Sequence, residues 1–345
     1  MKFLITGNMA YVGSVVSVGL KKKYPDSQII GFDSAFFAGC LINKSEFPER
    51  AIDQQYFGDV RNFPETILDG VDAVIHLAAI SNDPMGKEFE NVTEQINYRQ
   101  TIEIAKKAKK AGVKNFVFAS SCSVYGFAGD SPKTEKDEIN PLTAYARSKI
   151  NSEVGLETLA DGNFIVTCLR FATACGMSPR IRLDLVLNDF VASALSMNKI
   201  NILSDGTPWR PLIDVKDMFR AMDWASNRTT ANGGKYIVVN AGANEANYTV
   251  KQLAYAVKAL LPETAIEINQ NAAPDKRSYK VDFSLFEELA PTYKPLYSLN
   301  DSISNLIKGL ADFNDAQFRN SDFIRLNVLK SLKGTGVIND DLYYV

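Results

Sequence analysis

Lys2-Phe3-Leu4-Ile5-Thr6-Gly7-Asn8-Met9-Ala10-Tyr11-Val12-Gly13 is the stretch that decides the fold class. An apolar β-rich run ends at a small-residue turn, and helix-period apolar residues follow over 11–23. A strand that turns into a helix in this way presents backbone N–H groups to an anion, and the helix N-terminus favours the negative charge of a pyrophosphate. Glycine spacing alone is a weak signal. Here it sits in the required strand-turn-helix context, and Asp33 follows Gly13 by twenty residues at the end of the second apolar run. The pattern reads as a dinucleotide turn made by Gly7, Met9, Ala10, Tyr11, Val12 and Gly13. Asp33 is suited to accept from both adenosine ribose hydroxyls, and its charge repels a 2′-phosphate. Because Ser34-Ala35-Phe36-Phe37 follows without Arg or Lys, NAD is expected rather than NADP. Asp59 and Val60, after a short strand, are expected at the adenine ring.

Outward from that turn, apolar strands at Lys2–Thr6, Gln28–Phe32, Asp72–Leu77, Lys114–Ala119 and Asn163–Arg170 alternate with helical patterns near 11–23, 88–111 and 143–160. Continuous apolar strands of this kind are buried on both faces, and the alternation predicts an α/β fold with a doubly wound, Rossmann-type parallel sheet. Past residue 170 the pattern loosens into shorter elements, which predicts a smaller C-terminal α/β substrate lobe. The expected division is 1–170 for the dinucleotide domain, 171–310 for the lobe and 311–345 for a C-terminal helical extension. The chain is expected to return to the main sheet within 208–242, at Tyr236 to Asn240.

Composition removes whole classes of function. Lys plus Arg (38) nearly balances Asp plus Glu (40), so no positive field draws in nucleic acid or an anionic membrane. No run approaches the roughly 20 apolar residues of a membrane span. Four cysteines without a C-x-x-C pair indicate neither a disulfide framework nor a zinc knuckle, and a reducing, cytoplasmic setting is expected. His76 is the only histidine, which excludes H-E-x-x-H zinc sites and histidine-rich metal centres, so no metal is expected. Proton transfer then falls to Tyr, Lys, Cys or a carboxylate.

Tyr145-Ala146-Arg147-Ser148-Lys149 supplies such a group. Residues one helical turn apart share a face, so phenol and ammonium can serve one site. A free tyrosine, with a pKa near ~10, is a poor base. The Lys149 cation and the positive ring of oxidised nicotinamide are expected to lower it, so that Tyr145 takes the proton of a substrate hydroxyl. Lys149 also suits the nicotinamide ribose. Upstream, Phe116 to Ala119 runs into Ser120-Ser121-Cys122-Ser123-Val124-Tyr125-Gly126. A hydroxyl at the C-terminal end of a central strand lies where doubly wound folds bind ligands, and Ser121 is the expected orienting donor.

Together these residues resemble the extended short-chain dehydrogenase/reductase family in its nucleotide-sugar epimerase/dehydratase branch, over roughly residues 1–310. The resemblance rests on the glycine turn, His76-Leu77-Ala78-Ala79, Asn97 opening a long helix, Ser121 to Gly126, and Tyr145 to Lys149. It implies NAD held also by Leu77, Ala78, Ala79, Asn97 and Ser120, with a nucleotide diphosphate sugar in the second lobe and a homodimer. Gly206 to Asp217 is similar to a family segment whose arginine, here Arg210, contacts the phosphates. Asp275 to Asp282 is similar to a later one whose arginine, here Arg277, clamps the pyrophosphate. The planar donor fork of Arg suits phosphate oxygens. Ser123, Thr173 and Asn188 complete the substrate contacts that the resemblance implies.

Three departures stand out: Ala10 replaces the middle glycine, Thr173 replaces a frequent asparagine, and Cys122-Ser123 stands where sugar 4,6-dehydratases carry Asp-Glu. The last disfavours elimination of water. The expected activity is NAD-dependent epimerisation of a nucleotide sugar, at C4. A keto-sugar reductase on the same scaffold and a non-catalytic NAD-binding module are the alternatives.

Overall fold

The computed structural model describes residues 1–127, 131–272 and 278–345. Its centre is a seven-stranded sheet built from β1 (Lys2–Thr6), β2 (Gln28–Asp33), β3 (Gln54–Phe57), β4 (Ala73–His76), β5 (Asn115–Ser121), β6 (Ile165–Phe171) and, later in the chain, Tyr236–Ala241. Every pairing in it is parallel. Buried apolar clusters cover both faces, which is why its central strands carry continuous rather than alternating apolar residues. The chain leaves β3 at one edge and re-enters as β4 beside β1. That reversal is a topological switch point, and ligands of open α/β sheets bind at the carboxyl ends of the strands there.

The helix at Tyr11–Lys23 matches the expected span, and the helix at Ala144–Glu157 lies inside the expected 143–160. The single helix expected over 88–111 is instead several pieces. Phe89 leaves helical geometry (φ −124°, ψ 55°), and a wide π turn at Gln95–Gln100 precedes the helix Thr101–Lys110. In that turn the Asn97 carbonyl accepts the hydroxyls of Thr101 and Ser152, each at 2.8 Å. Tertiary demand at Asn97 overrides the regular helix.

Beyond β6 come β7 (Thr173–Cys175), β8 (Lys199–Ile202), β9 (Trp209–Asp214), β10 (Tyr236–Ala241), β11 (Asn247–Thr249) and β12 (Ala265–Ile268). β10 joins the main sheet beside β6, as expected from Tyr236 to Asn240, while β11, β9 and β7 form a small sheet and β8 pairs with β12. The C-terminal extension contains the helix Arg325–Gly334, anchored by fully buried Leu329 and by Arg325, which donates to the carbonyls of Arg180 and Ile181. No helix among the described residues is long and apolar enough to cross a membrane.

Candidate active site

A continuous cleft of about 980 Å³ opens at the carboxyl ends of β1, β4 and β5. Gly7, Asp33 and Asp59 line one end, Ala78, Tyr145 and Lys149 its middle, and Arg210, Tyr279 and Asn201 further parts of its wall. The turn after β1 is held to its shape by close approach. Gly7 has φ 78°, and a Cβ there would lie 2.7 Å from the Ala78 nitrogen; one at Gly13 would lie 2.2 Å from the Gly7 carbonyl oxygen. Ala10 precedes the helix in extended conformation and its methyl-bearing position lines the cleft. Asp33, 8% exposed, accepts from the backbone N–H groups of Met9 (2.8 Å) and Ala35 (2.7 Å). Burial raises its pKa, and those two N–H groups act against the rise. Asp59 is gripped by Arg61, whose Nη2 donates to Oδ2 at 2.6 Å and whose Nε donates to Oδ1 at 2.9 Å.

The middle of the cleft gathers the candidate proton-transfer groups. Thr143 caps the helix that carries them, its hydroxyl accepting from the Ala146 N–H at 3.1 Å. Lys149 is 4% exposed; its Nζ donates to the Ala119 carbonyl at 2.7 Å and sits 5.5 Å from the Tyr145 ring centroid. Burial lowers its pKa to about 8, against the pull of Glu153. Tyr145 moves the other way. Burial and the nearby Asp83 carboxylate push it up to about 12, while the nearby Ser121 hydroxyl and the Arg182 charge act to lower it. Among the protein's own charges Arg182 acts to lower this phenol, and burial outweighs it. Ser121 also accepts from the Ser123 N–H at 3.2 Å, and the buried Ser123 hydroxyl has no partner among the described residues.

Beneath this group lies a buried polar chain. Ser120 donates to Glu153 at 2.5 Å, Glu153 pairs with Arg170 at 2.7 Å, and Arg170 reaches the Tyr125 hydroxyl at 3.1 Å. Since Glu153 stands one turn after Lys149, the ion pair lies directly under the ammonium's helix face. His76 takes no part. Its Nδ1 accepts from Thr6 (2.7 Å) and its Nε2 donates to Thr101 (2.9 Å), because the Thr101 hydroxyl proton is spent on the Asn97 carbonyl. Burial lowers its pKa to about 3, so it is a neutral brace.

The model of the NAD dependent epimerase/dehydratase family matches residues 3–242, well over half of the chain. The chain belongs to that family. It is similar to a UDP-glucose 4-epimerase of Corynebacterium glutamicum, at 27% identity over 73% of this chain and 78% of that protein. It is also similar to a Bacillus subtilis protein described as an uncharacterized UDP-glucose epimerase, at 24% identity over 90% of this chain and 98% of the other. Among solved structures, the UDP-glucuronic acid 4-epimerase of Bacillus cereus superposes with a TM-score of 0.76 at 23% identity, covering 90% of this chain and 99% of that one.

Within this member of the family, Gly7, Ala10, Tyr11, Val12 and Gly13 line the cleft, and so do Asp33, Asp59 and Val60. Leu77, Ala78 and Ala79 follow them, as do Ser121, Ser123, Thr173 and Arg210. Three expected contacts, Met9, Asn97 and Asn188, are placed outside the cleft lining. Met9 is buried and contributes its N–H to Asp33. Asn97, 1% exposed, spends its amide on Ile80, receiving the Ile80 N–H at 2.8 Å and donating to its carbonyl at 2.9 Å, so it holds the loop after β4 from behind. Ser120 lines the cleft with its hydroxyl turned to Glu153. Asn188 is fully buried, accepting from the Gly176 N–H (3.0 Å) and donating to the Arg182 carbonyl (2.9 Å), which makes it a brace rather than a contact. Arg277 lies outside the described residues.

The cleft also contains residues that sequence reasoning passed over. Arg182 and Asp184 pair at 2.8 Å, with Arg182 reaching Ser81 and Asp184 accepting from Asn82. Their signal was present, two charges inside the apolar run Ile181 to Leu185. Tyr279, Arg319 and Arg325 line the wall as well, the last two brought in by the C-terminal extension.

Proposed function

We propose that this chain is an NAD-dependent nucleotide-sugar epimerase acting at C4. The observation that carries the reading is the convergence of Tyr145, Ser121 and Lys149 on one cleft whose far end is the glycine turn. The residues fit a dinucleotide. Space that side chains at Gly7 and Gly13 would fill stays open, the N-terminus of Tyr11–Lys23 faces the cleft, and Asp33 offers carboxylate to a ribose. Bound NAD supplies the acceptor and donor for the C4 hydrogen and, when oxidised, a positive ring charge. Tyr145, held near 12 by burial, is lowered by Arg182 and would be lowered further beside that charge.

Tyr145 takes the C4 hydroxyl proton at its Oη and returns it after the keto-sugar turns over. Ser121, whose hydroxyl acts on the same phenol, steadies the sugar oxygen as charge develops. Lys149, fixed on the Ala119 carbonyl and charged at neutral pH, is the ribose contact. Arg210 and Arg277 take the diphosphate, and Ser123 and Thr173 the sugar. Asp59, Val60 and Leu77 to Ala79 complete the cofactor wall. Elimination of water is disfavoured because Cys122 is fully buried with its Sγ on the Arg170 carbonyl, and burial drives its thiol pKa far up.

The proposed organisation is 1–170 for NAD, 171–310 for the sugar nucleotide and 311–345 as extension. The proposed state is a homodimer, as the resemblance implies, in a cytoplasmic setting, which the four free, buried cysteines favour. Incubation with a panel of nucleotide sugars tests the reaction, with NMR of the products. Epimerisation at C4 on catalytic NAD is expected. Product formed in step with consumption of reduced cofactor would instead identify a reductase.

A further inference from the structure

The last residues of the chain form an ordered turn. Asn339 Oδ1 accepts from the N–H groups of Asp341 and Tyr343, each at 3.0 Å, and Ile338 bridges to Tyr344. Ile338 and Leu342 are buried in the core, whereas Tyr344 is 54% exposed. Asp340 of the turn pairs with Lys333 on the helix before it at 2.7 Å, and the turn's other polar anchors go to two loops. Arg61, its side chain 4% exposed, stacks on Tyr343 with 3.4 Å between guanidinium carbon and ring centroid, and it donates to the carbonyls of Asp341 (2.7 Å) and Leu342 (3.3 Å). The same guanidinium grips Asp59. Tyr344 donates to the Ser34 carbonyl at 2.8 Å and packs on Phe36 at 5.2 Å between ring centroids. Ser34, Phe36, Asp59 and Val60 all line the end of the cleft that begins at Asp33.

The contacts of Tyr343 and Tyr344 join the loop after β2 to the loop after β3. From this we infer that the C-terminal turn straps together the two loops that hold the adenosine half of NAD, with Arg61, Tyr343 and Tyr344 as positioning residues. The inference rests on the reading of this cleft as an NAD site. An enzyme that regenerates its cofactor in each cycle gains from slow release, and fixed loops supply it by removing the ordering entropy from binding.

The test is the full chain against a chain ending at Leu342, together with Tyr343→Leu/Tyr344→Phe, which keeps the apolar bulk. Readouts are NAD content after purification, NAD release rate, ADP-ribose affinity and the unfolding midpoint of NAD-free protein. Truncation is expected to speed NAD release about tenfold or more and to weaken ADP-ribose by the same factor, with the NAD-free midpoint unmoved; the double variant is expected to do so about threefold. Release within twofold of the full chain in both variants overturns the inference while leaving the functional reading intact. So does faster release only in step with a fallen midpoint. A full-length chain that binds no NAD overturns both.

Discussion

Replacing Lys149 by Met separates the stability of this protein from its chemistry. The Lys149 ammonium is 4% exposed, and burial lowers its pKa from 10.5 to about 8. Between those values the unfolded chain binds the proton more tightly than the folded one. The resulting destabilisation is fully present below pH 8 and disappears as pH rises through 8 to 10.5. At about 1.36 kcal/mol per pH unit, that gap is about 3 kcal/mol at pH 7 and about 1 kcal/mol at pH 9.5. Met fills a similar volume without charge but leaves the Ala119 carbonyl without the Nζ donor, a loss of about 1 kcal/mol. The variant is therefore expected to be more stable than the parent by about 2 kcal/mol at pH 7, and nearly equal to it at pH 9.5. Urea unfolding of the NAD-free proteins at both pH values measures the difference, since other groups titrate alike in the two. Epimerase activity should fall at least about a hundredfold in the same variant. A variant less stable at pH 7, or a difference that does not shrink with pH, would refute the assignment of a buried ammonium held against its solvation.

Three other outcomes are expected. Gly13→Ala puts a methyl group 2.2 Å from the Gly7 carbonyl oxygen and 2.5 Å from the Asn8 Cα, so it should destabilise by about 1–3 kcal/mol and abolish NAD retention, read by mass spectrometry of the purified protein. Glu153→Gln breaks the buried pair with Arg170 and should destabilise by about 3 kcal/mol in denaturant. Because the Glu153 charge raises the Lys149 pKa, the alkaline limit of the kcat profile should also move to lower pH. His76, lowered to about 3 from 6.5, should charge only at the expense of the fold, so the parent loses about 2 kcal/mol between pH 7 and pH 5 relative to His76→Asn. The carboxyl of Asp217, raised to about 6 by burial, titrates in both proteins and cancels in that comparison.

Local chemistry explains what could be read in advance. The span of β1, the turn at Gly7 and the helix Tyr11–Lys23 follow from short-range sterics and periodicity, so their bounds emerge residue by residue. The return of Tyr236–Ala241 to the sheet was legible for the same reason, as an apolar run of strand length. What failed required knowledge of partners distant in sequence. The helix near 88–111 breaks because Asn97 must serve Ile80 and Ser152 at once. Asn188 looked like a ligand contact, but its amide is consumed by Gly176 and Arg182. Lys149 and Tyr145 share one helix face, and the direction of the phenol's shift in the protein alone is set by burial and by Asp83, sixty-two residues earlier. No spacing rule foretells that Arg319, Arg325 and the terminal tyrosines fold back onto a dinucleotide cleft.

The most direct measurement is kcat for C4 epimerisation by Tyr145→Phe, with bound NAD quantified in the same samples. A drop of about a hundredfold to ten-thousandfold at unchanged NAD occupancy is expected if the phenol moves the substrate proton. Turnover within threefold of the parent protein would contradict it.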